Sequence, residues 1–142
     1  MAADKGKSRR KAKGRAVGPI TGRAPFHVPT FMVRWHPDAE SERDGAWPPK
    51  EKVAMNNAVE KLEAAGPRLP FPHSSAVQGD ASGGMRELRP RAGRSRWRPI
   101  YRQVSATTFV IFAVGPEAQI NKRGFDSAVR RAIKRAADLD VD

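Results

Sequence analysis

Between Met85 and Gly115 the chain offers three apolar-interleaved runs, "MRELRPR", "SRWRPIYRQV" and "TTFVIFAVG", broken only at Ala92-Gly93 and Ser105-Ala106. Connections this short join antiparallel neighbours, because a parallel crossover needs a dozen or more residues. The third run is apolar on both faces, which predicts a strand in the sheet's interior. Whatever else this chain contains must cover that sheet.

Upstream, "TFMVRWH" alternates Phe31, Val33 and Trp35 against Met32, Arg34 and His36, the period of a strand with one buried face, and Pro37 stops it. Asp38 can cap a short helical turn over "AESERD", and Pro48-Pro49 opens a longer helix. In that helix Met55, Ala58, Val59, Leu62 and Ala65 recur at helical spacing, opposite Lys52, Asn56, Glu60 and Glu63, until Gly66-Pro67 ends it. A Pro- and Gly-rich link, "PRLPFPHSSAVQGDASGG", returns to the sheet. After the third run, "SAVRRAIKRAADL" sets Ala128, Val129, Ala132, Ile133 and Ala136 on one stripe, with Arg130, Arg131, Lys134 and Arg135 off it, as on an ordinary solvated face. The order predicts a compact α+β domain, mainly antiparallel sheet with helices packed on one face.

The 142 residues suffice for one domain, and a net charge of +12 points to a polyanionic partner, most often nucleic acid. Residues 1–25 hold eight Lys or Arg, one Asp and almost no large apolar side chain, which predicts a disordered basic arm before a domain at 26–142. With no cysteine, disulfides and thiolate metal sites are excluded. No apolar run reaches the roughly 20 residues of a membrane span, and no secretory h-region opens the chain, so a cytoplasmic location is expected.

The basic excess of the body sits in "RELRPRAGRSRWRPIYR", where seven arginines accompany one acid, Glu87. Strand parity puts Arg96, Arg98 and Arg102 on one face with Ile100, and Trp97, Pro99 and Tyr101 on the other, toward the helices. Arg86, Arg89 and Arg91 follow on the neighbouring run, and Arg94 lies between the two. So many guanidinium groups on one face call for an anion, and their planar forks suit phosphate.

The order "MRELRPRAGRSRWRPIYRQV", then "TFVIFAVG" and a terminal helix, with "WHPDAE" leading into a helix ending "KLEAAGP", resembles the RelE/ParE superfamily of bacterial toxins, in its HigB-like, phage-associated branch. The resemblance spans roughly residues 30 to 138. It implies an endoribonuclease that cuts mRNA, often on the ribosome, and is restrained by a cognate antitoxin, a small helix-turn-helix protein. The chemistry implied is attack by a ribose 2′-OH on the adjacent phosphate, with no metal and no cofactor. By position, Arg98 and Arg89 would act at the scissile phosphate, and Lys122-Arg123 would replace the basic pair that many relatives carry directly after the last strand. Arg86, Arg91, Arg94, Arg96 and Arg102 would bind RNA. Here Pro116 and Glu117 follow the last strand, and Phe125 stands where several relatives have a tyrosine. Two other readings stay open: a nucleic-acid binder without catalysis, and a ParE-like gyrase inhibitor.

The remaining polar residues read more simply. Tyr101, the one tyrosine, is turned toward the core. His27, His36 and His73 lack the spacing of a metal site, and His73 is either a loop histidine or an acid–base group near the sheet. Glu87 reads as an ion-pair member, and Gly83-Gly84 as turn residues outside any phosphate-loop frame.

Overall fold

A computed structural model describes residues 30–45, 48–79 and 83–140. The expected basic arm and His27 lie outside them. Strand β1 (Met32–Trp35) leads through helix α1 (Pro37–Arg43) to helix α2 (Pro49–Ala65). Strands β2 (Ser74–Ala76), β3 (Arg86–Leu88), β4 (Trp97–Gln103) and β5 (Thr108–Pro116) follow, then helix α3 (Lys122–Asp140). The fold is α+β, as expected: five strands in the order β1-β5-β4-β3-β2, antiparallel except where β1 runs parallel to β5. Strand β5 lies inside the sheet, as its two apolar faces require.

The helices do not share one face. On β5, Phe109 and Ile111 pack with Ala58 and Leu62 of α2 and Ala39 of α1, whereas Val110 and Phe112 pack with Phe125, Ala128, Ala132 and Ala136 of α3. A strand greasy on both sides has to be covered on both sides. The expectation of helices on one face is thereby corrected. The register skips one residue of β5, pairing Ile100 with Ala113 and Tyr101 with Ile111, so Phe112 is the extra residue of a β-bulge. The alanine stripe lets α3 approach closely; at Gly115 a side chain would collide with Ala128.

Two local expectations also change. His36, not Asp38, caps α1, its Nδ1 accepting from the Asp38 N–H at 3.1 Å. The Pro- and Gly-rich return holds an unforeseen strand, β2, too short to carry a visible alternation. Pro48 and Pro49 do open α2, and Gly66 ends it at φ 60° against the ring of Phe31.

Beyond Ile111, β5 loses β1 as a neighbour, and side chains satisfy its edge instead. Arg135 donates to Phe112 O at 2.7 Å and Arg131 to Val114 O at 3.2 Å, while the Val114 N–H donates to Glu42 at 2.9 Å. Glu42 in turn accepts from Arg131 at 3.1 Å and from Arg135 at 2.9 Å. Burial pushes its carboxyl pKa up, but the Arg135 and Val114 hydrogen bonds and the two guanidinium charges outweigh that and hold it below its ordinary value. Arg131 and Arg135 therefore pin α1, α3 and β5 together rather than sitting on a plain solvated face.

Candidate nucleic-acid interface

Arg98 was expected on an open basic face. Its parity is as read, but that face is the one α3 covers, and Arg98 is 1% exposed. It donates to the carbonyls of Ser95, Trp97 (3.2 Å) and Gly93 (3.1 Å). Its Nε stands 3.0 Å from Glu87 Oε1, an ion-pair contact outside hydrogen-bond geometry, and its Nη2 lies 3.8 Å from Glu117. Burial lowers its pKa; Glu87 and Glu117 oppose that, and Arg89 adds to it. Glu117, the residue standing in place of a basic one after the last strand, is thus a counterion for Arg98. Ile100 and Phe125 are buried in the α3 core.

Tyr101 packs on the α2 side, as parity predicts, with Phe109 edge-on at 5.8 Å. Its hydroxyl is 2.6 Å from Ser74 Oγ, which also accepts from Arg86 Nε at 3.0 Å. Arg102 is half-buried over the Phe112 ring, Arg94 donates to Arg91 O at 3.1 Å, and Arg96 is exposed. Lys122 and Arg123 sit exposed in the first turn of α3, where Lys122 pairs with Asp126 at 3.2 Å. The nine arginines and lysines singled out from sequence are therefore not one constellation.

Two of them, Arg89 and Arg91, meet a wall that the sequence reading did not include. A cleft of about 270 Å³ is lined by Lys50, Val53, Ala54, Asn57, Ala58 and Lys61 of α2, together with His73, Arg89 and Arg91. The α2 residues fall at i, i+3, i+4, i+7, i+8 and i+11, one continuous helical stripe beside the core stripe. That spacing is a usable signal, but Lys50, Asn57 and Lys61 flank the apolar stripe rather than joining the polar face of Lys52, Asn56, Glu60 and Glu63, so amphipathicity alone does not single them out. His73 is brought to the cleft by the turn before β2, where its carbonyl accepts from the Arg89 N–H at 2.8 Å.

The opposing wall is a turn over Pro90–Gly93 in which two non-glycine residues, Arg91 and Ala92, hold φ near 57° and 55°. Such backbone costs on the order of 1 kcal/mol or more per residue and persists only when its surroundings impose it. Here Arg98 binds the turn from beneath, and Glu51 ties it to α2: Ser95 Oγ donates to Glu51 at 2.7 Å, and Arg91 stands 3.8 Å from the same carboxylate. Arg89 is fixed by its Nε to Pro72 O at 2.9 Å and by Glu87 at 3.9 Å. Four cations, one imidazole and one amide thus line the cleft on a rigid frame, with no carboxylate among the lining residues. Such a concavity suits an anion with several oxygens.

A family model described as "Phage derived protein Gp49-like (DUF891)" matches residues 45–138. The chain belongs to that family. No curated protein matches it closely enough to count as a relative. Gp49-like proteins are a RelE/ParE-like toxin family, so the resemblance carried by the "ELR" and "WRPIY" strands holds at that level. The matched span of this Gp49-like protein contains the whole cleft. Among the described residues, no helix is long and apolar enough to cross a membrane.

Proposed function

We propose that this Gp49-like protein is the toxin of a toxin–antitoxin pair, of the HigB-like branch, and that it cleaves RNA in the cleft between α2 and the Pro90–Gly93 turn. The observation that carries the reading is the lining itself: Lys50, Lys61, Arg89 and Arg91 around His73, with no carboxylate among the lining residues. The nearby Glu51 and Glu87 are already paired, with Arg91 at 3.8 Å and Arg89 at 3.9 Å respectively. The reaction is metal-independent. A ribose 2′-oxygen bonds to the adjacent phosphorus, the P–O5′ bond breaks, and the products are a 2′,3′-cyclic phosphate and a 5′-hydroxyl. His73 takes the 2′-OH proton and solvent water gives a proton to the departing 5′-oxygen; Arg89, Arg91 and Lys61 brace the oxygens on which charge develops. Arg98 has no access to the phosphate and serves as the positioning residue beneath the turn.

Messenger RNA on the ribosome is the substrate, in the cytoplasm, and a small helix-turn-helix antitoxin is the restraining partner. Primer extension on translating ribosomes, backed by a purified cleavage assay, tests this. His73→Gln should slow cleavage by about 10²- to 10⁴-fold with folding and RNA affinity retained. Lys61→Glu should lose affinity and cleavage together. One second reading has its own support: Arg98 is engaged internally and Phe125 lies in the core, which favours binding without catalysis. Wild-type protein that binds RNA through Lys61 yet leaves it intact decides for that reading and against the ribonuclease.

A further inference from the structure

Against Arg89, one of the residues lining the cleft, stands an aromatic ring that the proposed cleavage does not use. Phe71 is 68% exposed, the most exposed large hydrophobic side chain among the described residues. An isolated exposed apolar residue is ordinary on a protein surface. This one is held: it lies between Pro70 and Pro72, whose rings fix their own φ, and the guanidinium of Arg89 sits over its ring at 4.8 Å. Arg89 is itself tied to Pro72 O at 2.9 Å and lines the cleft. The same arginine therefore fixes the ring on one face and offers charge to the cleft. The ring's exposure leaves its remaining surface open to solvent.

A held aromatic next to a basic groove matches what an unpaired base needs. Single-stranded RNA is gripped by cations along its backbone while its splayed bases stack on aromatic or guanidinium planes; a duplex keeps its bases stacked inside and offers none. Val53, 58% exposed on the α2 wall, adds further apolar surface within the same cleft. An acidic protein segment would satisfy the cations but has no particular use for a ring stacked on arginine.

We propose that Phe71 and Arg89 form a stacking platform for one unpaired base, so that the cleft takes single-stranded RNA with a base on Phe71 and the neighbouring phosphate among Lys61, Arg89 and Arg91. This rests on the RNA reading of the cleft and names its substrate class. Base–aromatic stacking is lost on alanine substitution with a penalty of about 1 to 3 kcal/mol, roughly 5- to 150-fold in affinity.

The test is fluorescence anisotropy with the full-length protein, a short labelled single-stranded RNA, the duplex of the same sequence, and an acidic polyglutamate peptide. Phe71→Ala should weaken the single strand by about 5- to 150-fold and leave the duplex unchanged, with thermal stability held; Phe71→Trp should bind the single strand at least as well as wild type. Equal losses on strand and duplex, or none on either, overturn the platform. If Phe71→Ala changes nothing while Lys61→Glu abolishes RNA binding, stacking fails and the basic cleft stands. If neither variant alters RNA binding, or wild type binds no RNA, the RNA reading falls and the platform with it. Phe71-dependent capture of polyglutamate, with RNA binding indifferent to Phe71, also overturns the platform and marks a protein-facing patch.

Discussion

Arg98 Nε and Glu87 Oε1 stand 3.0 Å apart in a site where the arginine is 1% exposed. That proximity turns an arginine from the most basic stretch of the chain into a structural strut. Removing one partner of a buried pair leaves the other charge uncompensated, and here three backbone carbonyls would also lose their donor. Arg98→Ala should therefore destabilise by about 3 to 5 kcal/mol in chemical denaturation. A soluble Arg98→Ala with an unchanged midpoint but abolished cleavage would place the residue at the phosphate instead.

Tyr101 separates packing from chemistry. Tyr101→Ala should cost about 3 to 5 kcal/mol, as truncation of a buried aromatic does. Tyr101→Phe removes only the 2.6 Å hydroxyl contact with Ser74, for about 1 kcal/mol, and cleavage should continue. Loss of cleavage in Tyr101→Phe at unchanged stability contradicts its place in the core.

Glu42 gives a pH signature. Its carboxyl is held below the ordinary 4.5 in the folded chain, so the unfolded chain binds the extra proton first. Stability from this group is fully present above the ordinary value and is lost as pH falls through the lower folded value. Glu42→Gln should be less stable than wild type near neutral pH, and the gap should narrow as acid is added below 4.5. A gap independent of pH across that window counts against an ionised Glu42.

Gly66 is a backbone prediction. It holds φ 60° and ψ −133°, where an L side chain is strained, and a Cβ there would run into the Phe31 ring. Gly66→Ala should lower stability by about 2 kcal/mol or more, read by thermal unfolding. An unchanged melting temperature would mean that the end of α2 and Phe31 can shift apart at little cost.

By itself the sequence determined the elements whose signals are local. The alternation through Phe31, Val33 and Trp35, the Pro48-Pro49 start of α2, the doubly apolar β5 and the alanine stripe of α3 each report on the residue's own strand or helix, and each stands where it was read. Parity even aimed Tyr101 correctly. What only tertiary structure decided is which elements meet. Nothing local says that α2 and α3 take opposite faces of the sheet, that β1 lies parallel to β5, or that Phe112 is the bulged residue. That choice decides the chemistry: the face carrying Arg98 is roofed by α3, and Glu117 arrives from beyond β5 as its counterion. Lys50 and Lys61, separated from Arg89 and Arg91 by a long return, become their neighbours only when α2 folds over the end of β3. Charge is countable along a chain, but its use depends on desolvation and distance, and both are properties of the packed molecule.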